Sequence, residues 1–339
     1  MTNAVPSARF ALLKGLDGGT ESQIIANIGG GLLREQLALE ILEGCGKLFR
    51  PRLFRAIAHC DVLIVHSPLA YAFFYVLFAR MLRRKVVGLM WDHYPVTLAG
   101  QRYDPSLRRR LLDLIERSAT RICTHLIVPS RDFLEADALS RAEVLPFWLP
   151  VECAPKNADK GREKLVRIIF AGQVNSTRGL EHAVAELEAH FAGEFVLAIA
   201  SRDPLPNGLL GKENVEYLGF LTPDELRGEM ARSHAGLVAL SPQFDGPGLP
   251  SKTWEYLGAG LPCLFIGRDL PHYAKALTSS GVGYVLSSAT REIIGVKDFA
   301  RSLDAATIDQ FSRHFELDEV RVAAHLRAIA ADADRRGRP

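Results

Sequence analysis

Short apolar runs alternate with longer amphipathic stretches along almost the whole chain, and this alternation restricts the fold more than any other feature. Ala8–Lys14, Asp61–His66, Lys85–Trp91 and His125–Val128 read as strands in the first half. Val166–Ala171, Phe195–Ala200, Val215–Leu218, Gly236–Leu240, Cys263–Ile266 and Tyr284–Leu286 read as strands in the second. Helical patterns fill the gaps at Glu21–Leu42, Pro68–Leu82, Ser106–Thr120, Leu180–His190 and Thr222–Ser233, with a terminal helix at Asp318–Ala331. Strands separated by helices pair in parallel, with helices covering both faces of the sheet. The expected fold class is therefore α/β, with two Rossmann-like domains facing across a cleft. The proline-rich Val144–Pro150 and the polar Glu152–Arg162 mark the division, giving an expected first domain over 1–152 and a second over 153–339. The last helix is free to pack back on the first domain. Open parallel sheets take their ligands at the carboxyl ends of the strands.

Composition removes several classes of function. A length of 339 residues allows two ordinary domains, and 48% hydrophobic with 24% charged residues is the balance of a globular protein with a sizeable core. A formal net charge of +2 argues against a dedicated nucleic-acid binder, so no nucleic-acid partner is expected. The five cysteines (Cys45, Cys60, Cys123, Cys153 and Cys263) are odd in number and lack C-x-x-C spacing. They fit reduced thiols in a cytoplasmic protein better than a disulfide framework or a zinc site. No signal peptide is evident at the start. The most apolar stretch, Val62–Met81, is interrupted by His66, Ser67 and Pro68, which reads as strand, turn and buried helix rather than a span of about 20 apolar residues.

The most informative segment chemically is Asp245 to Pro262, a glycine- and proline-rich loop opening into a short helix. Pro250 and Ser251 suit a helix start, and Gly260 with Pro262 suits a stop. Backbone N–H groups and a positive dipole end make such a start a seat for a phosphate. Glu255, one turn further in, can accept hydrogen bonds from sugar hydroxyls. Together they point to a nucleotide site.

The pattern Pro-x-Lys-x-x-Glu-Tyr-x-x-x-Gly-x-Pro resembles the donor helix of retaining glycosyltransferases with the two-domain GT-B fold, family 4 in particular. The resemblance implies ribose binding by Glu255 and diphosphate contact by Lys252 and the amides around Ser251. Phe170 to Leu180 resembles the same family's Gly-Arg-Leu-x-x-x-Lys-Gly loop, which implies a diphosphate role for Gly172 and Arg178. Two positions depart from the family pattern. Gln173 stands where an arginine is expected, which implies a polar rather than charged contact to the donor from that residue, and Pro247 stands where a second glutamate is expected, eight residues before Glu255. Asp245 lies near enough in sequence to reach donor hydroxyls in its place, and the glycine loop at Gly18 matches one that approaches the donor. Met90 to Pro95 is similar to the family's acceptor-side strand end, implying that Asp92 or His93 orients the acceptor hydroxyl or takes its proton. His66 has comparable placement at the end of its strand.

The function implied is transfer of a sugar, with retention, from a nucleoside diphosphate sugar to a glycan or lipid-linked glycan in polysaccharide biosynthesis. Arg178 and Lys252 would stabilise the departing diphosphate. No Asp-x-Asp cluster stands out, so no metal and no cofactor are expected. Arg83-Arg84-Lys85 and Arg108-Arg109-Arg110, with Arg117, sit beside a leucine stripe at Leu107, Leu111, Leu114 and Ile115. A basic amphipathic helix of this kind can lie on anionic lipid at the inner face of a plasma membrane. A nucleotide-sugar epimerase or hydrolase, or a non-catalytic partner of another transferase, would share the same architecture.

Overall fold

The computed structural model describes residues 8–14, 28–35, 37–43, 50–91, 107–135, 139–146, 165–243, 248–287 and 303–336. Its contacts divide the chain into two compact units, one of 1–149 with 246–249 and 315–339, the other of 150–245 with 250–314. The expected boundary at 152 and the polar stretch Glu152–Arg162 lie outside the described residues.

The first unit carries six strands: β1 (Arg9–Lys14), β2 (Ala38–Glu43), β3 (Val62–His66), β4 (Lys85–Leu89), β5 (His125–Val128) and β6 (Glu143–Val144). They form one sheet in the order β2-β1-β3-β4-β5-β6, with every pair parallel. Its helices are α1 (28–34), α2 (Pro51–His59), α3 (Phe73–Met81), α4 (Leu107–Ile122) and α10 (Glu319–Arg336). Here the structure corrects two expectations. The stretch 21–42 is not one helix, because its end forms β2, paired residue for residue with β1. The segment after β3 begins as a 3₁₀ turn, Leu69–Ala72, before α3 starts. Glycines make α1 fit. A Cβ at Gly29 would come within 2.8 Å of the Ile41 side chain, and one at Gly31 would meet Glu319. The small residues thus let α1 lie close on β2 and α10. Arg34 pairs with Glu319, and Arg327 donates to the Glu35 carbonyl.

The second unit repeats the plan with β7 (Val166–Ala171), β8 (Phe195–Ala200), β9 (Val215–Gly219), β10 (Ala235–Ala239), β11 (Cys263–Ile266) and β12 (Gly283–Leu286). Its helices are α5 (Leu180–Phe191), α6 (Pro223–Arg232), α7 (Lys252–Gly258), α8 (Pro271–Ser279) and α9 (Ala305–Ser312). The strand order β12-β11-β10-β7-β8-β9 is a doubly wound Rossmann sheet, again parallel throughout. Central strands such as β10 are buried at every position, which explains their unbroken apolar sequences. The Thr-Pro-Asp-Glu start of α6 is a full capping box: the Thr222 side chain accepts from the Glu225 amide while the Glu225 carboxylate accepts from the Thr222 amide. The core joins Phe170, Leu197, Ile199, Leu237 and Leu264 on the strands to Leu180, Val184 and Leu187 on α5.

Candidate functional site

In the second unit the chain leaves β7 toward β8 on one side and returns to β10 on the other, so the crevice beyond β7 and β10 is the sheet's topological switch point. Ligands of open α/β sheets gather there. Gly172 and Gln173 follow β7 directly, and α7 follows β10, so the fold gathers Gly172, Gln173, Arg178, Ser251, Lys252 and Glu255 at this edge of one unit.

Tyr256 ties α7 to the sheet. Its hydroxyl accepts a hydrogen bond from the Ala171 amide at 2.9 Å, in a fully buried setting. Pairing between β10 and β7 runs only as far as Gly236 with Ile169, so the phenol takes the place of the next strand carbonyl. The ring lies against bare backbone: a Cβ at Gly236 would fall 2.2 Å from it. Burial raises the Tyr256 phenol well above its ordinary pKa, while the Ala171 amide and the nearby Arg178 guanidinium act the other way. The phenol therefore stays protonated, and Arg178 lies within electrostatic reach of it. Thr253, Trp254 and Leu257 fill the rest of the buried face, with Thr253 bonded to the Tyr273 hydroxyl at 2.5 Å.

Anchored in this way, α7 turns Lys252 and Glu255 outward. Lys252 Nζ lies 2.5 Å from Glu255 Oε2, and their side chains are 34% and 47% exposed. An exposed pair one turn apart on a helix contributes only about 0.3–0.5 kcal/mol, so a ligand can open it at little cost. The Lys252 stem crosses Gly172, where a Cβ would sit 3.9 Å from Lys252 Cε and 3.7 Å from Phe170. These are ordinary contacts, so packing within the protein does not require a glycine at 172. A glycine at this position leaves the backbone more accessible than any other residue would.

The loop from 172 to 179 is held by hydrogen bonds within the unit. Asp203, beyond β8, accepts from the Val174 amide at 2.8 Å. Asn175 accepts from the Thr177 amide at 3.1 Å, and the Arg178 amide bonds the Asn175 carbonyl at 3.0 Å. Gly179 has φ of 59°, and a Cβ there would stand 2.9 Å from Ser241 Cα. The Ser241 amide donates to the Thr177 carbonyl at 2.8 Å, locking the loop to the end of β10. Gln173, where a cation is expected, is exposed and accepts from the Asn175 amide group at 3.4 Å.

The helix after Ser251 is only seven residues, Ser251 makes no side-chain cap, and the Thr253 and Trp254 amides bond the Pro250 and Ser251 carbonyls. Two amide donors of the first turn are thus engaged within the helix start. Sequence reading missed Asp203, Asn175, Ser241 and the part played by Tyr256. Only Tyr256 carried a signal, as a letter of the Lys-x-x-Glu-Tyr pattern.

Gly18, Asp92, His93, Asp245 and Pro247 lie outside the described residues. His66 and Trp91 are described. His66 ends β3, its Nδ1 is 2.8 Å from the Ser67 carbonyl, and its ring stacks on Trp91 with centroids 4.8 Å apart. Burial lowers its pKa, so the ring is neutral near neutral pH.

No family model matches the sequence, and no curated protein matches it. Solved structures do match in fold. A glycosyltransferase from Rickettsia africae aligns over 97% of this chain and 99% of its own, with a TM-score of 0.58 at 11% identity. AviGT4, a glycosyltransferase involved in avilamycin A biosynthesis, aligns over 96% and 97%, with a TM-score of 0.52 at 15% identity. At such identities the likeness establishes shared fold: two Rossmann-like parallel sheets, as in GT-B structures.

Proposed function

We propose that this chain is a glycosyltransferase that takes its sugar from a nucleoside diphosphate donor bound at the carboxyl edge of the second sheet. The observation that carries this reading is the convergence, at that sheet's switch point, of an exposed lysine, an arginine and a glycine that packing does not require. Lys252 and Arg178 supply positive charge for a diphosphate, and Gly172 lets it approach the backbone. Glu255, released from Lys252 by the incoming phosphate, is free to accept from a ribose diol. As the bond between sugar and phosphate breaks, charge grows on the leaving diphosphate. Contacts that tighten with that charge can each contribute several kcal/mol to the rate. The Asp203 and Ser241 contacts to the loop keep Arg178 ready, so little reorganisation accompanies the reaction.

The finer reading rests on the resemblance of the Lys-x-x-Glu-Tyr helix to family 4. It supports a hexosyl donor, retention at the anomeric carbon, and a glycan or lipid-linked glycan acceptor in polysaccharide assembly. Asp92 or His93 is proposed to orient the acceptor hydroxyl. Asp245 is proposed to reach the donor sugar, and the Gly18 loop to approach the donor. With Gln173 in place of a cation, leaving-group stabilisation falls on Lys252 and Arg178, so losing either is expected to be severe. The test is donor turnover, measured as release of nucleoside diphosphate from a panel of nucleotide sugars with and without mixed glycan acceptors. Release that requires acceptor and drops at least a hundredfold in Lys252→Ala supports transfer. Release without acceptor would identify a hydrolase or epimerase instead.

A further inference from the structure

Three helices lie side by side on one face of the first sheet. The chain steps from β2 over β1 to β3, then to β4 and β5, and right-handed crossovers place α2, α3 and α4 together with α3 in the middle. Phe54 of α2 packs on Tyr75 and Phe78 of α3, with ring centroids 5.0 and 4.9 Å apart. On the other side Glu116 of α4, fully buried, accepts from the Leu69 amide at 3.0 Å and the Ala70 amide at 2.5 Å. That carboxylate caps the turn leading into α3, so the helices form one fixed platform.

The outward face of the platform is apolar where globular helices are polar. Tyr71, Phe74, Leu77 and Met81 recur at helical spacing along the turn and α3, and all are exposed, Met81 at 73%. Leu111 and Leu114 on α4, expected as part of an amphipathic stripe, are also exposed, at 54% and 59%. Around this ridge stand cations. Arg52 and Arg55 are exposed on α2, Arg83 follows α3, and Arg110, Arg117 and Arg121 share the outward side of α4. Residues 51–85 and 107–122 hold eleven Lys and Arg against three Asp and Glu, in a chain whose formal net charge is only +2. Of the three acids, Glu116 is buried as the cap, Asp113 pairs with Arg117 at 3.0 Å, and Asp61 lies near Arg9 and Arg84.

We propose that this face docks the protein on an anionic lipid bilayer, with Tyr71, Phe74, Met81, Leu111 and Leu114 entering the interface and the flanking arginines meeting lipid headgroups. An apolar ridge between cationic borders matches a surface that is apolar below and negative above. A second copy of the chain fits poorly, because joining two such faces would set arginine against arginine. Among the described residues no helix is long and apolar enough to cross a membrane, so the contact is with the near leaflet. The proposal does not depend on the reading of the second unit.

The full chain is centrifuged with vesicles of phosphatidylcholine alone or of equal parts phosphatidylcholine and phosphatidylglycerol, over a salt series. The expected result is cosedimentation with the anionic vesicles that declines as salt rises. Each basic residue near an anionic surface adds about fivefold to partitioning, so Arg110→Gln/Arg117→Gln/Arg121→Gln together should lower it roughly a hundredfold. Phe74→Ser/Met81→Ser, at exposed positions that leave the core intact, should abolish the salt-resistant part. Arg227→Gln, an exposed arginine of the other unit, should change nothing. Equal recovery with both vesicle types, or binding indifferent to the two multiple variants, overturns the proposal. So does a dimer by analytical ultracentrifugation that Phe74→Ser/Met81→Ser dissociates while vesicles bind nothing.

Discussion

Replacing Tyr256 with phenylalanine removes one oxygen atom and leaves the ring on Gly236. The consequence falls on the Ala171 amide, which loses the acceptor 2.9 Å away in a region sealed from water. Leaving a buried donor without a partner costs about 1–3 kcal/mol. In a unit of this size each kcal/mol lowers the unfolding temperature by about 2–4 °C, so the expected fall is roughly 2–12 °C. Hydrogen exchange at Ala171 should quicken together with that fall, because the phenol covers the amide where β10 ends its pairing with β7. Nucleotide affinity should weaken too, since the same bond holds α7 where Lys252 crosses Gly172. Thermal unfolding with amide exchange read by mass spectrometry measures both effects. An unchanged midpoint with unchanged exchange at Ala171 would refute the idea that this hydroxyl anchors the helix.

Two further outcomes follow from burial. Cys60 and Cys123 have their thiols pushed up to about 11 and about 12, chiefly by desolvation, and Cys263 is fully buried. All three should resist iodoacetamide at pH 7.5 in the folded protein and react once it is unfolded in urea, as peptide mass spectrometry would show; rapid native labelling of any of them would contradict their placement. His66 has a pKa lowered by burial from its ordinary 6.5. The unfolded chain then takes up the proton first, so the stability that this group provides is complete above pH 6.5 and lost as pH falls through the folded value. Urea midpoints should drop between pH 7.5 and 5, and His66→Asn should flatten that dependence; an identical slope in the variant would remove His66 as its source.

Much of the second unit was legible because its strands are buried on both faces and its helices are punctuated sharply. Val166–Ala171 and Cys263–Ile266 appear in the structure with the ends read from sequence. The breakers around Lys252 marked α7 equally well. The first unit was harder. Ala38–Glu43 is built of good helix formers, and only parallel pairing with β1 at all six positions makes it a strand. The glycines at 29–31 argue locally against a helix, yet two of them, Gly29 against Ile41 and Gly31 against Glu319, sit where a Cβ would collide with a neighbouring side chain. Tertiary contact overrides propensity in both cases. At the candidate site, the charged and hydroxyl-bearing residues of the pattern were readable, whereas their supports were not. Asp203 follows β8 as any turn aspartate would, and Ser241 acts through its backbone. Neither role leaves a mark on a linear sequence. The exposure of Leu111 and Leu114 was not fixed by the sequence pattern alone, since a stripe of leucines reads the same whether it faces a core or the surface.

The central claim is that Lys252 and Arg178 receive a diphosphate at the edge of the second sheet. Differential scanning of the full chain with uridine, guanosine, adenosine and thymidine diphosphates tests it most directly. At a hundredfold excess over its dissociation constant, a bound nucleotide should stabilise the folded protein by about 2.7 kcal/mol. At least one diphosphate should raise the unfolding temperature, and Lys252→Ala and Arg178→Ala should each lose most of that rise while melting normally without ligand. No rise with any of the four, or a rise that survives in both variants, would contradict the account.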